Sequence, residues 1–405
     1  MKVWFDNPEF DGQLLRALGY VYDGGADIGE CLVTAQQIQE GNADSWYGAW
    51  SQTADRVSAA AAASLIAGHP VSAREAYLRA SNYYRTASIV LFGAPLDPRL
   101  VQNFDRQAEA FRHAARFFSP AVEPVRIPYE GTTLPGYFYR VDDSGRPRPT
   151  VIATSGYDGT VEELYFAVAA AALRHGYNCL TFDGPGQGAA LLKQQLYMRP
   201  DWERVVTPVV DYALSRPEVD SQRLALLGAS FGGYLAPRAA TAEHRLAACI
   251  ADAALYAPGQ QAVSSLPKEL QEQLATGDPA VLQPVFKQWL HDPTLAFVLK
   301  RGMLVHGVSS PWDYVRVFAH YTLEGRADRI RCPTLVTEAE NDRRRGGGKQ
   351  LYETLTCPKA YILFTEAEGA GEHCEAGARS RFHQRAFDWL DETLNPRQEP
   401  SSSQR

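Results

Sequence analysis

Ser230 lies between Gly228 and Gly232 in the stretch LALLGASFGGYLAPRAA, residues 224–240. A serine hydroxyl becomes a nucleophile when a neighbouring base takes its proton and an acid orients that base. The G-x-S-x-G spacing suits such a serine when an apolar strand precedes it and a helix follows. Both conditions are met: RLALLGAS reads as a strand, and the residues from Phe231 onward read as a helix. A turn that sharp holds the serine in a strained backbone conformation. Side chains two residues to either side would collide with it, which calls for Gly228 and Gly232. Pro237 is the oddity of the stretch, a proline early in the helix behind the serine that is expected to bend it.

Six histidines follow Ser230: His244, His291, His306, His320, His373 and His383. Only His373 comes after the last apolar strand and in a glycine-rich loop, TEAEGAGEHCEAG, which can carry an imidazole over the edge of a sheet. His291, His306 and His320 fall in a long insertion, and His383 in the final helix, where a structural role is expected. The orienting acid belongs after the preceding strand. PTLVTEAENDRRRGGG supplies Glu338, Glu340 and Asp342 there. The first two are still in or near the strand, whereas Asp342 opens the loop and is chosen, with Glu340 the runner-up. Acyl transfer at a serine also needs two backbone N–H groups aimed at the developing oxyanion. Phe231, the residue after the nucleophile, is expected to supply one. The loop TSGYDGT supplies the other, assigned to Tyr157 with Asp158 as the alternative. This chemistry calls for no metal and no cofactor.

These residues need a scaffold that carries strand ends side by side. From about residue 121 the chain provides one. VRIPYEG and LPGYFYRV read as an edge hairpin turning near Gly131. Strand-like runs follow at 149–156, 177–184, 223–230, 246–252, 332–342 and 360–367, with helical segments at 161–175, 200–216, 231–243, 347–356 and 378–395. Near-continuous apolar strands alternating with helices predict an α/β fold whose parallel sheet is covered on both faces. Residues 256–325 interrupt the alternation with polar, helix-prone sequence, as a lid above the strand ends would. Residues 1–120 differ in texture: apolar residues recur three or four apart, few runs are β-branched, and Gly68 and Gly93 stand where helix C-caps are expected. The division expected is a helical domain over 1–120, an α/β domain over 121–395 with the lid at 256–325, and a disordered polar tail over 396–405.

Bulk properties narrow the partners. The chain has 405 residues, 45% hydrophobic and 21% charged, with a net charge of −7. That balance is ordinary for a water-soluble globular protein and argues against nucleic acid, which calls for a basic face. The six cysteines are scattered without a CxxC pair, as buried thiols in a reducing compartment are. MKVWFDNPEFDG has early acids and no apolar core, so it does not read as a signal peptide. No run is long and apolar enough to span a bilayer. A cytoplasmic protein acting on a small molecule is expected.

With Ser230, Asp342 and His373 placed, residues 120–395 resemble an α/β-hydrolase. REAYLRASNYYRTAS, TSGYDGTVEELY, TFDGPGQG, GASFGGYLAPRAA, AEND and GAGEHC together resemble a narrower group. That group contains the 2,6-dihydroxypseudooxynicotine hydrolase type of carbon–carbon bond hydrolase, fungal hydrolases that shorten polyketide side chains, and FrsA-like esterases. The resemblance implies a helical N-terminal domain packed over the sheet edge, the same Ser, Asp and His roles, and often a homodimer. It also tilts the expected reaction toward ester or carbon–carbon hydrolysis of an aromatic, polyketide-like substrate. Rival uses of the same scaffold are an acyltransferase or cyclase, an acyl-peptide peptidase, and a binding module without catalysis. Gly184, Gly186 and Gly188 of DGPGQG suit a structural turn. Trp46, Trp50, Tyr77, Tyr83 and Tyr84 are candidate pocket aromatics, although rings at helical spacing are more often core. The loop RRRGGG departs from the group's pattern. Arg343, Arg344 and Arg345 suit either an anionic substrate group or, more readily, a solvated charge run followed by a glycine hinge.

Overall fold

The apolar runs of the second half are strands whose alternate residues face opposite layers. In the computed structural model, which describes residues 1–276, 279–291, 293–343 and 346–394, eight strands form one sheet. They are β1 (Glu123–Tyr129), β2 (Thr132–Tyr139), β3 (Arg148–Thr154), β4 (Asn178–Phe182), β5 (Val219–Ala229), β6 (Ala248–Asp252), β7 (Thr334–Ala339) and β8 (Lys359–Phe364). The order across the sheet is β1-β2-β4-β3-β5-β6-β7-β8. The hairpin β1–β2 is antiparallel and β2 runs antiparallel to β4; every pairing from β4 through β3 to β8 is parallel. Along β5, Leu224 and Leu226 join the apolar cluster on one face, and Ala225 and Leu227 join the cluster on the other.

Five helices precede the sheet: α1 (Pro8–Leu18), α2 (Ile28–Ala35), α3 (Ala43–Ile66), α4 (Pro70–Ser88) and α5 (Pro98–Ala115). Asn7, Asn42 and Asp97 accept backbone N–H groups at the starts of α1, α3 and α5, which satisfies amides the helices leave unpaired. The apolar faces of these helices do not close on themselves. Trp46, Trp50, Tyr77, Tyr83 and Tyr84 belong to one buried cluster that continues through Val151 and Leu227 of the sheet to Phe382 and Phe387. These five aromatics are therefore core. Trp46 and Trp50 are fully buried, and the Trp46 indole donates to the Thr86 carbonyl. Gly68 takes the left-handed conformation just past α3. Gly93 does not cap a helix: its backbone lies against Lys300, and the following Ala94 N–H donates to the Lys300 carbonyl at 2.8 Å.

The remaining helices are α6 (Ala170–Arg174), α7 (Gly188–Leu192), α8 (Glu203–Leu214) and α9 (Gly232–Ala240), then α10 (Pro258–Ser264), α11 (Lys268–Thr276), α12 (Pro279–Trp289), α13 (Pro293–His306) and α14 (Pro311–Phe318) between β6 and β7, and finally α15 (Gly348–Thr354) and α16 (Arg379–Leu394). The segment between β6 and β7 is thus helical. The tail assigned to 396–405 lies outside the described residues. Pro237 sits in the middle of α9. The Gly233 carbonyl that its missing N–H would have satisfied instead faces the Leu255 N–H at 3.4 Å, so the proline sits where tertiary structure offers a substitute donor.

Candidate active site

The C-terminal ends of β5, β7 and β8 bring three of the expected residues together. Ser230 follows β5 directly and has φ 62°, the left-handed conformation expected of a side chain held on a strand-to-helix turn. The flanking glycines are required by contact. A Cβ on Gly228 would lie 2.0 Å from the Gly232 carbonyl oxygen, and one on Gly232 would lie 2.8 Å from the Thr154 carbonyl oxygen. The Ser230 hydroxyl is 2.8 Å from His373 Nε2, and His373 Nδ1 is 2.7 Å from Asp342 Oδ2. Asp342 is nearly inaccessible, whereas the His373 side chain keeps 26% of its exposure, so the chain of hydrogen bonds runs from the interior to an approachable serine.

The choice among the acids follows from the loops. Glu338 is buried within β7 and accepts from the Tyr361 hydroxyl and the Gly348 N–H. Glu340 accepts the Glu366 N–H at 2.8 Å, tying the loop after β7 to the loop after β8. Asn341 N–H adds a second tie, to the Gly371 carbonyl. These ties hold the two loops in register and leave Asp342 as the carboxylate on the imidazole. Arg343 is exposed; Arg344 and Arg345 lie outside the described residues. The glycines after them are engaged with the rest of the fold. Gly346 accepts the Tyr256 N–H at 3.0 Å, and Gly347, with φ 87°, leads into α15.

Behind His373 lies a charge cluster that the sequence did not disclose. Cys374 and Glu375 both have positive φ, 50° and 49°. The buried Arg379 spans this kink. Its guanidinium donates to Asp252 at 2.8 Å, to the Cys374 carbonyl at 2.9 Å, to Glu375 at 3.2 Å and to the Ala167 carbonyl at 2.9 Å. Burial, reinforced by Asp252, raises the Glu375 carboxyl well above its ordinary range. Burial and the same acids push the Cys374 thiol above its ordinary value. His383, as expected, is structural: it is buried with Nε2 2.7 Å from the Ala167 carbonyl.

The loop after β3 borders the serine. A Cβ on Gly156 would lie 2.7 Å from the Phe231 nitrogen and 2.9 Å from Ser230 Oγ. Gly156 therefore packs directly against the Ser230–Phe231 elbow. The Tyr157 ring packs on Phe231 with centroids 4.8 Å apart. Its hydroxyl is 2.7 Å from His306 Nε2, and His306 Nδ1 is 3.3 Å from the Tyr321 hydroxyl. Burial lowers the His306 imidazole to about 4, so the ring is neutral and bridges the two tyrosines by donating at one nitrogen and accepting at the other. Asp158 pairs with Arg16 of α1 at 2.9 Å and with Arg301 of α13. Arg16 also grips the buried Glu163 through two nitrogens, and Arg85 adds a 3.2 Å ion pair. Burial alone would raise Glu163, but Arg16 and Arg85 hold it below its ordinary value. His306 and Arg301 had no motif to single them out, and Asp158, the alternative oxyanion residue, is engaged through its carboxylate with Arg16 and Arg301; His291 and His320 of the same insertion are exposed.

Residues 151–380 match the model of the "Alpha/beta hydrolase family". The chain belongs to the α/β-hydrolases. It is similar over nearly its whole length to fungal members. "Hydrolase LUC6" of Fusarium sp is 35% identical over 98% of this chain and 100% of the relative. "20-hydroxy-prefusarin hydrolase FUS2" of Gibberella moniliformis is 35% identical over 97% and 98% of the two chains. The crystal structure of the 2,6-dihydroxy-pseudo-oxynicotine hydrolase superposes with a TM-score of 0.74 at 22% identity, covering 93% of this chain and 95% of that one. The shared fold thus includes the helical N-terminal region, and the chain is an enzyme of the hydrolase class in the group that its motifs resembled. No helix among the described residues is long and apolar enough to cross a membrane.

Proposed function

We propose that the protein is a serine hydrolase that works through an acyl-enzyme. The observation that carries this is the unbroken chain from Ser230 Oγ through His373 to the buried Asp342, at 2.8 and 2.7 Å. His373 takes the Ser230 proton as Oγ attacks a carbonyl carbon, and Asp342 stabilises the imidazolium. The Phe231 and Tyr157 amides hold the oxyanion. His373 then protonates the leaving group, either an alkoxide or a stabilised carbanion of enolate type. Water, activated by the same imidazole, releases the acid and returns the proton to Ser230.

The substrate proposed is an aromatic or polyketide-like small molecule, cleaved at an ester or at a carbon–carbon bond beside a carbonyl. Its support is the name of a full-length relative, a hydrolase of 20-hydroxy-prefusarin, together with the motifs of the group. An acyltransferase or cyclase would use the same triad and differ only in the nucleophile that resolves the acyl-enzyme. A panel of aryl esters and β-diketones tests both the chemistry and the substrate. Turnover of at least one compound, lowered by several orders of magnitude in His373→Ala, is the expected result. Unchanged turnover in that variant rejects the assignment.

A further inference from the structure

The DGPGQG turn after β4 carries a side chain whose contacts point to a role beyond the turn itself. Gln187 is fully buried. Its amide nitrogen donates to the Ser155 carbonyl at 2.6 Å and to the Gly156 carbonyl at 3.2 Å. Its amide oxygen accepts the Gly184 N–H at 2.9 Å. The partners decide which end of the amide is which, because two carbonyls demand a donor and an N–H demands an acceptor. The turn is closed from the other direction as well, since the Gln187 N–H donates to the Gly184 carbonyl.

The glycines explain how the side chain gets there. A Cβ on Gly184 would lie 2.6 Å from the Trp202 ring, and one on Gly188 would lie 2.1 Å from the Asp183 carboxylate. Gly186 has φ 83°. Asp183, itself fully buried, accepts the Val161 and Ala189 N–H groups and so anchors the turn to the segment that follows the β3 loop. The whole loop is built tightly around a glutamine whose amide oxygen serves its own turn and whose amide nitrogen reaches another loop.

In a trans peptide the C=O and N–H point in opposite directions. A donor that captures the Gly156 carbonyl therefore turns the N–H of the same peptide, that of Tyr157, away from Gln187. Gly156 also packs so closely on the elbow that a Cβ there would lie 2.9 Å from Ser230 Oγ and 2.7 Å from the Phe231 nitrogen. We propose that Gln187 is a positioning residue for the oxyanion hole: it holds the 155–157 backbone by its carbonyls so that the Tyr157 N–H faces the reacting carbonyl. This rests on the serine-hydrolase reading above. It assigns to the DGPGQG motif a function in transition-state stabilisation, exerted through the peptide that it orients.

The test compares wild type, Ser230→Ala, Gln187→Met and Gln187→Glu of the full chain in hydrolysis of 4-nitrophenyl butyrate. Met fills the space without a donor, and Glu keeps the shape but sets a carboxylate against two carbonyl oxygens. Loss of one oxyanion donor predicts a fall of about 10²- to 10³-fold in kcat for both variants. KM is expected to stay within about threefold and the midpoint of the pH profile of kcat/KM to stay in place, because the triad is untouched. A trifluoromethyl ketone, whose adduct carries the oxyanion, should lose potency by the same factor as kcat. Wild-type kcat in either folded variant, a loss confined to KM, or a displaced pH midpoint overturns the proposal. Failure of both variants to fold also counts against it, since the glutamine would then serve only the turn. Equal hydrolysis by wild type and Ser230→Ala would instead fault the serine-hydrolase reading and leave Gln187 out of the matter.

Discussion

The turn that presents Ser230 and the loop that presents His373 solve the same problem with different materials. Each forces non-glycine residues into the left-handed region: Ser230 at the elbow, Cys374 and Glu375 just past the histidine. At the elbow the strain is held by absent atoms. Gly228, Gly232 and Gly156 let three backbones approach until any Cβ would overlap a neighbour. At the histidine loop the strain is held by buried charge. Arg379 reaches across the kink to Asp252, Glu375 and two carbonyls, with the two carboxyl groups inaccessible to water and Arg379 itself buried. Packing without side chains leaves a pattern in a sequence, a glycine at fixed offsets. A charge cluster drawn from β6, the loop after β8 and α16 leaves none.

The comparison is most strongly tested by breaking the charge cluster. Arg379→Met strands two buried carboxylates, a change that typically costs about 3–5 kcal/mol. A drop of that size in the unfolding free energy, read as a lower denaturant midpoint, with reduced turnover as His373 loses its support, is expected from chemical unfolding and kinetics. A variant as stable as wild type would show that the cluster is ornamental. Gly228→Ala comes next. Its Cβ must displace the backbone at Gly232, and overpacking of this kind costs about 1–3 kcal/mol or more. Here the loss of activity should exceed what the loss of folded protein explains, because Ser230 moves with the turn; active-site titration against circular dichroism measures the two separately.

The smallest effect concerns His306. Its folded value of about 4 lies below its unfolded value, so the unfolded chain binds more protons between the two. Stability contributed by the neutral ring is present above the ordinary histidine value of about 6.5 and is lost as pH falls toward 4. His306→Gln should flatten that part of the dependence of Tm on pH while leaving the neutral-pH Tm only slightly lower. An unchanged slope would mean that the ring is not held neutral between Tyr157 and Tyr321.

The same contrast explains what could be read from the chain before its structure. The parallel sheet was legible because fully buried strands are short continuous apolar runs, and Ser230 because G-x-S-x-G needs the strand and helix that flank it. Asp342 and His373 were legible from their order after the last two strands. The docking of the loop glycines at 346–347 was not legible, since a glycine run does not announce its partner, here the Tyr256 N–H. Gly93 misled, being placed in close approach to Lys300 rather than in a left-handed cap. His306, Arg301, Arg379 and Asp252 were illegible because their meaning lies in partners far away in the chain.

The central claim, that Ser230 is an activated nucleophile, is tested most directly by a fluorophosphonate probe read out by intact mass and peptide mapping. The account predicts a single adduct on wild type, located at Ser230, and none on Ser230→Ala. Equal labelling of both proteins, or no labelling of folded wild type, would contradict it.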